Sequence, residues 1–425
     1  MSVATNIRTP AAVSYTTARR WAVIVLLALA AIIAYVNRIN LSIAVVDSQF
    51  KAAFHFTNSQ RGLLNSAFFW SYAALQIPAG WLVDRYGTKY PLAASFIVWS
   101  GLTALTAATT GFATIFAVRL LLGVSEAAMH PASIRWIAAN LPERQRGLAV
   151  GVYMSGSKLG PAVGAPLAAW LIGIYGWRSM FLLTGLLSLI WVLPWLGLIK
   201  NDAKDLAAAA KLPTRGGKAL VGNVWANPVL WGTIIGTFSY MYFVYFCLTW
   251  MPTYLSEARG LSLGSSSLFT GFSFAGIAIV AILGGWAADR MIAAGHDAVK
   301  IRKAFTIAGF LLAATEVFGA WLPLNMALAV SILSLSGLGL ATANYWALTQ
   351  TLIPGAAIGR IVGIQNCAAS LPGIVAPIMT GWLVDKTGSY QAPMATVMVF
   401  LIIGVFAYLF LVQERYAPAM VAVEA

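Results

Sequence analysis

Gly80-Trp81-Leu82-Val83-Asp84-Arg85-Tyr86-Gly87-Thr88-Lys89 closes one long apolar run, over about 62–83, and precedes another, over about 91–111. A shorter echo, Gly285-Trp286-Ala287-Ala288-Asp289-Arg290, closes a run over about 266–287. In hydrocarbon, backbone polar groups must be paired within the element that carries them. Apolar runs of about 20 residues are therefore membrane helices, and the alternation needed by a barrel strand is missing. The two charged stretches then read as loops between helices. Further runs at 21–46, 113–140, 148–172, 179–199, 228–256, 304–322, 326–352, 361–384 and 392–412 bring the expected spans to twelve. The chain is expected to be an all-α polytopic membrane protein.

Composition agrees. The 425 residues are 60% hydrophobic and 9% charged, with a mean hydropathy of +0.79, whereas soluble domains have about a quarter of their residues charged. The run after Arg19 and Arg20 is too long for a signal-peptide core and has no convincing cleavage site, so it reads as a retained first span. Cys247 and Cys367 both fall in spans, and three scattered histidines make no ligand spacing; no disulfide, metal or cofactor is expected. No phosphate-binding loop or nucleophile–base spacing suggests an enzyme, and no re-entrant filter suggests a channel.

The net charge of +14 is topological. Eighteen Lys and Arg residues, from Arg8, Arg19 and Arg20 to Arg415, fall in segments on one side, against five on the other, Lys51, Arg61, Arg178, Arg259 and Lys386. By the positive-inside rule both termini are cytoplasmic, nucleic acid is not the partner, and a bacterial inner membrane suits the chain.

The polar interval after the sixth run divides the sequence into a tail 1–20, a bundle 21–199, a cytoplasmic linker 200–227, a second bundle 228–413 and a tail 414–425. Leu206 to Leu212 reads equally as a short surface helix or as solvated linker. Pro142 and Pro354, Gly151 and Gly363, and Gly176 and Gly388 are each 212 apart, and Ala165-Pro166 recurs as Ala376-Pro377 at 211. One near-constant offset implies a duplicated unit: twelve transmembrane helices in two pseudo-symmetric six-helix bundles. Parallel repeats of this kind build secondary transporters, with the solute between the halves near the midplane. In the loop at 80–89, Gly80 is expected to let helices approach and Asp84 to cap a helix. Arg85, Lys89 and the echoing Asp289 would form breakable contacts as the halves rock.

Gly80 to Lys89 resembles the loop signature of the major facilitator superfamily (MFS), and Arg119-Leu120-Leu121-Leu122-Gly123 and Gly156-Ser157-Lys158-Leu159-Gly160-Pro161 resemble two more of its motifs. More narrowly, several stretches resemble its anion:cation symporter family: Tyr35-Val36-Asn37-Arg38-Ile39-Asn40-Leu41-Ser42, Gly123-Val124-Ser125-Glu126, Leu248 to Leu255, Gly373 to Pro377, and Val384 to Ser389. That family includes bacterial permeases for hexuronates, aldonates and phthalate. The resemblance, over about 20–415, implies the MFS fold and uptake of a small organic anion, commonly with protons, by a monomer in the lipid bilayer.

Ionisable groups at membrane depth are costly and need a partner or a water-filled cavity. Arg38 is deep in span one, where a guanidinium can clamp a carboxylate through two hydrogen bonds; the alternative is a structural pair with Glu126. The resemblance favours the anion, because relatives use this arginine for it. Glu126 follows Arg119 by seven residues, two helical turns, hence on nearly the same face. It is the candidate to exchange a proton, or else a permanent partner of Arg119; His130 is a weaker relay. Many relatives carry Asp where this chain has Asn37, which cannot titrate, so coupling through Glu126 alone and no coupling both stay open. Lys158, between Gly156 and Gly160, is a second cation for a dianion, or a partner of Glu126. Tyr35, Tyr72, Asn344, Trp346, Gln365 and Asn366 complete the expected solute contacts, with Tyr72, Trp346 and Asn366 ranked by resemblance. Arg119 joins the gating set.

Overall fold

The computed structural model describes residues 15–200, 219–220, 224–353, 355–417 and 420–421. The expected helix at 206–212, Pro354 and most of the tails and linker lie outside them. Ten helices among the described residues are long and apolar enough to cross a membrane. One of these, Gln145–Leu198, runs for 54 residues. Gly176 within it takes φ 80° and ψ 166°, a left-handed value that glycine accepts without a Cβ clash, so the segment is two spans, five and six. Asn58–Tyr86, 29 residues long, is the twelfth. It is less apolar because Asn65, Tyr72 and Gln76 lie along it.

In order, span one is Thr17–Ala44, two Asn58–Tyr86, three Lys89–Leu105, four Phe112–Asn140, seven Pro228–Thr253, eight Leu263–Ala293, nine Ala298–Ala314, ten Leu324–Leu352, eleven Gly355–Thr387 and twelve Gln391–Phe410. The sequence reading missed a short helix, Ser48–Phe54, after span one, and a break in span four between Glu126 and Met129. Span ends are set by local chemistry. Thr57 and Gln60 form a reciprocal capping box on span two, Asp297 caps span nine, and Asn227 caps span seven with Pro228 in its first turn.

The halves repeat one packing scheme. Span one lies on five as seven lies on eleven, and two lies on four as eight lies on ten. A Cβ on Gly156 or Gly160 would strike Ala28 and Tyr35 of span one, which is the close approach expected there. At Gly123 it would strike the Phe68 carbonyl and the Ser71 hydroxyl of span two. Gly123→Ala is therefore expected to cost about 1–3 kcal/mol, read as a lowered melting temperature of purified protein. Gly151→Ala, whose Cβ meets open space, serves as the near-neutral control.

Spans two and eleven, and five and eight, join the halves. The seam is tight at the far end, opposite the termini. Asp385 accepts from the backbone N–H groups of Asn58 (3.1 Å) and Ser59 (2.7 Å) at the start of span two, where a helix N-terminus favours negative charge. Glu257 pairs with both Lys51 (2.7 Å) and Arg61 (2.8 Å). Toward the termini the ion pairs among the described residues stay within one half: Asp84 with Arg135, and Asp289 with Arg302 at 2.9 Å. There Ile77 is 84% exposed on span two.

These contacts correct the reading of the loop at 80–89. Asp84 ends span two and pairs with Arg135 of span four; it caps no helix, because span three begins only at Lys89, after Thr88. Arg85 lies over the Trp81 and Tyr86 rings, and Lys89 over Tyr90, and neither makes an ion pair among the described residues. At Gly80 a Cβ would make only an ordinary 3.9 Å contact with Pro131.

Candidate functional site

Span one brings Arg38 to the middle of the first bundle, 6% exposed. Three rings surround its guanidinium: Tyr35 at 4.4 Å, Phe68 at 4.6 Å and Tyr72 at 5.0 Å. Aromatic faces attract a cation, and excluding water strengthens whatever charge it meets. Its partner is Glu126, 3% exposed, to which Arg38 Nη2 donates. Glu126 is the last residue before the break in span four at Ala127 and Ala128. Of the partners considered for Glu126, the structure chooses Arg38.

Arg119 is 4% exposed and makes no ion pair among the described residues; its guanidinium lies 5.6 Å from the Phe68 ring. Two turns along an α-helix amount to about seven residues, so its sharing a face with Glu126 was legible. In the structure the carboxylate meets Arg38 of span one instead. Arg119, counted with the gating residues from the sequence, lies inside the bundle with Arg38. The two arginines and Glu126 line a small cavity with Asn37, Phe68, Trp99, Thr103 and Leu122. Asn37 Oδ1, Arg38 Nε, Trp99 Nε1, Thr103 Oγ1 and Arg119 Nε are buried here without protein partners. Two cations and one carboxylate leave the cluster at +1. Asn37 Nδ2 is turned toward Ser188 Oγ at 3.3 Å.

Lys158 stands across the seam from span seven, half-buried, with its ammonium 5.4 Å from the Tyr240 ring. It does not pair with Glu126. His130 sits 3.5 Å from the Tyr153 hydroxyl through Nδ1, one turn beyond Glu126. From the second half, Asn366 donates to Gln76 of span two at 3.2 Å, crossing the seam. Trp346 packs on Tyr345 with ring centroids 5.2 Å apart, half-buried. Two other expected contacts each give an amide hydrogen bond within the second bundle, while their own oxygens, Asn344 Oδ1 and Gln365 Oε1, are buried without a partner among the described residues. Asn344 is wholly buried and donates to the Leu340 carbonyl of its own helix at 2.8 Å, and Gln365 donates to Thr237 Oγ1 at 2.8 Å inside the second bundle.

Several residues in this centre were not singled out as site residues. Phe68 and Gln76 lie one turn either side of Tyr72, and that i±4 spacing was the available signal. Tyr245 of span seven, which the sequence did offer as a possible solute contact, packs on Phe69 of span two at 4.5 Å. Trp99 and Thr103 gave no sign in sequence.

Comparison with known proteins adds to this geometry. Residues 27–377 match the family model described as Major Facilitator Superfamily. The chain is 31% identical to the hexuronate transporter of Bacillus subtilis, covering 87% of this chain and 89% of that protein. It is 28% identical to the D-galactonate transporter of Escherichia coli, covering 93% and 96%. Its backbone is similar, at a TM-score of 0.77 and 17% identity, to a bacterial homologue of the lysosomal transporter Spinster in an inward-facing, occupied conformation. That alignment covers 93% of this chain and 97% of the other.

Proposed function

Because the chain belongs to the Major Facilitator Superfamily, we propose that it is a secondary transporter that imports a sugar acid or a similar organic carboxylate together with protons. Both termini face the cytoplasm of a bacterial inner membrane, and the far-end seam then makes this an inward-facing state. The observation that carries the reading is the buried Arg38–Glu126 pair. Leaving a buried charge without the partner it is paired with is costly, so Arg38 favours an anion in the place of Glu126. When Glu126 takes a proton, Arg38 is left for the carboxylate of the solute, so proton and anion enter together. Neither alone completes the site, which is the differential binding that couples the two. The hexuronate and D-galactonate relatives support a carboxylate with hydroxyls, for which Tyr35, Tyr72, Gln76 and Asn366 supply polar atoms.

Lys158, on span five beside the Tyr240 ring of span seven, suits a second acidic group. Lys158→Ala is expected to weaken binding of a sugar dicarboxylate by on the order of tenfold or more, and of D-galactonate much less, since a charged hydrogen bond is worth about 1.5–3 kcal/mol. Competition binding to purified protein measures both, and equal losses remove Lys158 from the site.

Asn37 favours a second reading, exchange without ion coupling, because an amide bonded to Ser188 cannot release a proton. Counterflow in proteoliposomes decides between them: uptake accelerated by internal solute and indifferent to a pH gradient is exchange.

A further inference from the structure

One carboxyl in the second bundle has no part in the mechanism above. Glu316 occupies the tightened last turn of span nine, Thr315–Ala320, and is wholly buried. Unlike Glu126 it has no ion-pair partner among the described residues. Its two oxygens meet only hydroxyls of span ten: Oε1 lies 2.9 Å from Ser331 Oγ, and Oε2 lies 2.5 Å from Ser334 Oγ. Ser334 Oγ also lies 3.2 Å from the Ser331 carbonyl. Other groups facing Glu316 are the Cys247 thiol and Tyr254 of span seven. Span twelve brings only Tyr408 as a titratable side chain. Tyr254 is committed to the Gly319 carbonyl at 2.9 Å. Arg259, the cation beside Tyr254, donates to the Leu322 carbonyl and stacks 6.0 Å from the Tyr254 ring, not on Glu316.

Two neutral hydroxyls do not compensate a full charge out of water, where an unpaired carboxylate costs many kcal/mol and takes a proton instead. The hydrogen bonds agree. Each serine hydroxyl has one proton to give, yet Ser334 Oγ lies near two acceptors. A proton on Oε2 resolves this: Glu316 donates to Ser334 Oγ, Ser334 donates to the Ser331 carbonyl, and Ser331 Oγ donates to Oε1. Every oxygen is then satisfied with no net charge.

We propose that Glu316 is a second proton-binding site, in the C-terminal bundle, loaded in this far-end-closed state and independent of the Arg38–Glu126 pair. It lies about 10 Å below the far end, five residues from Trp321 at the roughly 2 Å rise of a 3₁₀ turn. Tyr254 and Arg259 tie this turn to the tip of span seven, which also carries Glu257 of the seam. Opening the far end would admit water beside Glu316 and let the proton leave.

Infrared spectroscopy of the full-length protein in lipid at neutral pH tests this through the carbonyl stretch of a protonated carboxyl, identified by its shift in heavy water. The band is expected in the wild type and in Glu126→Gln, and lost in Glu316→Gln. Its absence from the wild type, or its persistence in Glu316→Gln, overturns the proposal. So does its loss on adding sodium at fixed pH, which would assign the site to a metal cation. If Glu316→Gln cannot be recovered folded, Ser334→Ala serves: removing the acceptor should shift the band, and an unshifted band overturns the assignment.

Discussion

Glu126→Gln protein in proteoliposomes should exchange internal for external sugar acid while failing to accumulate it against a pH gradient. Glutamine keeps the shape of Glu126 and a carbonyl that Arg38 can still donate to, so the bundle stays packed. It removes the negative charge and the titration together. Arg38 is then permanently open to the solute carboxylate, as it would be in the protonated wild type. Each coupled proton supports about a tenfold accumulation per pH unit, 1.36 kcal/mol, and this factor should vanish for the proton carried at Glu126. Radiolabelled uptake with an imposed pH gradient, beside counterflow without one, measures the two separately. Loss of both activities would make Glu126 a structural partner of Arg38 and not a coupling site.

The second large effect is expected at Arg38 itself. Truncating one partner of a buried, hydrogen-bonded charge pair costs about 2–5 kcal/mol, so Arg38→Ala should weaken solute binding on the order of 30-fold to several thousand-fold. Arg38→Lys keeps the charge but loses the planar fork and its stacking among Tyr35, Phe68 and Tyr72, and should recover only part of the affinity. The same substitution carries a stability signature. Arg38→Ala leaves a carboxylate buried without its cation, while Arg38→Ala with Glu126→Gln removes both charges and should melt at a higher temperature than Arg38→Ala alone. Solute binding by isothermal titration and melting in detergent are read on the same preparations. Unchanged binding in Arg38→Ala would take the anion site away from span one.

The two substitutions also separate chemistry from architecture. The double variant restores packing without restoring function, because it has neither the cation for the solute nor the carboxyl for the proton. A double variant that transports would place the site elsewhere, with Lys158 and the polar groups of Tyr72, Gln76 and Asn366 as the remaining means of holding a carboxylate.

Much of this was legible in sequence, for reasons that can be located. The spans, the duplication and the depth of Arg38, Glu126 and Lys158 follow from residue order, because hydrocarbon imposes the helix and the helix imposes the spacing. Gly156 and Gly160 were readable as points of close approach because a missing Cβ between apolar neighbours has few other uses. At Gly80 the same reasoning failed: the loop end is wet, and Pro131 leaves ordinary room. Asn344 and Gln365 looked like solute contacts because polar residues in spans are rare, yet each answers a need nearer at hand, the Leu340 carbonyl and the Thr237 hydroxyl.

By itself, then, the sequence determined the all-helical membrane fold, its two related halves and the cationic character of the centre, all properties that depend on composition and period along one chain direction. Only the tertiary structure decided who meets whom: that Glu126 turns to Arg38 and leaves Arg119 without an ion-pair partner, that Asp84 belongs to Arg135, and that Glu316 rests on two serines. Those choices depend on how the spans pack and on the rotamers of long side chains. Residue spacing cannot carry them, because several partners lie within reach of each charge and packing in three dimensions selects one.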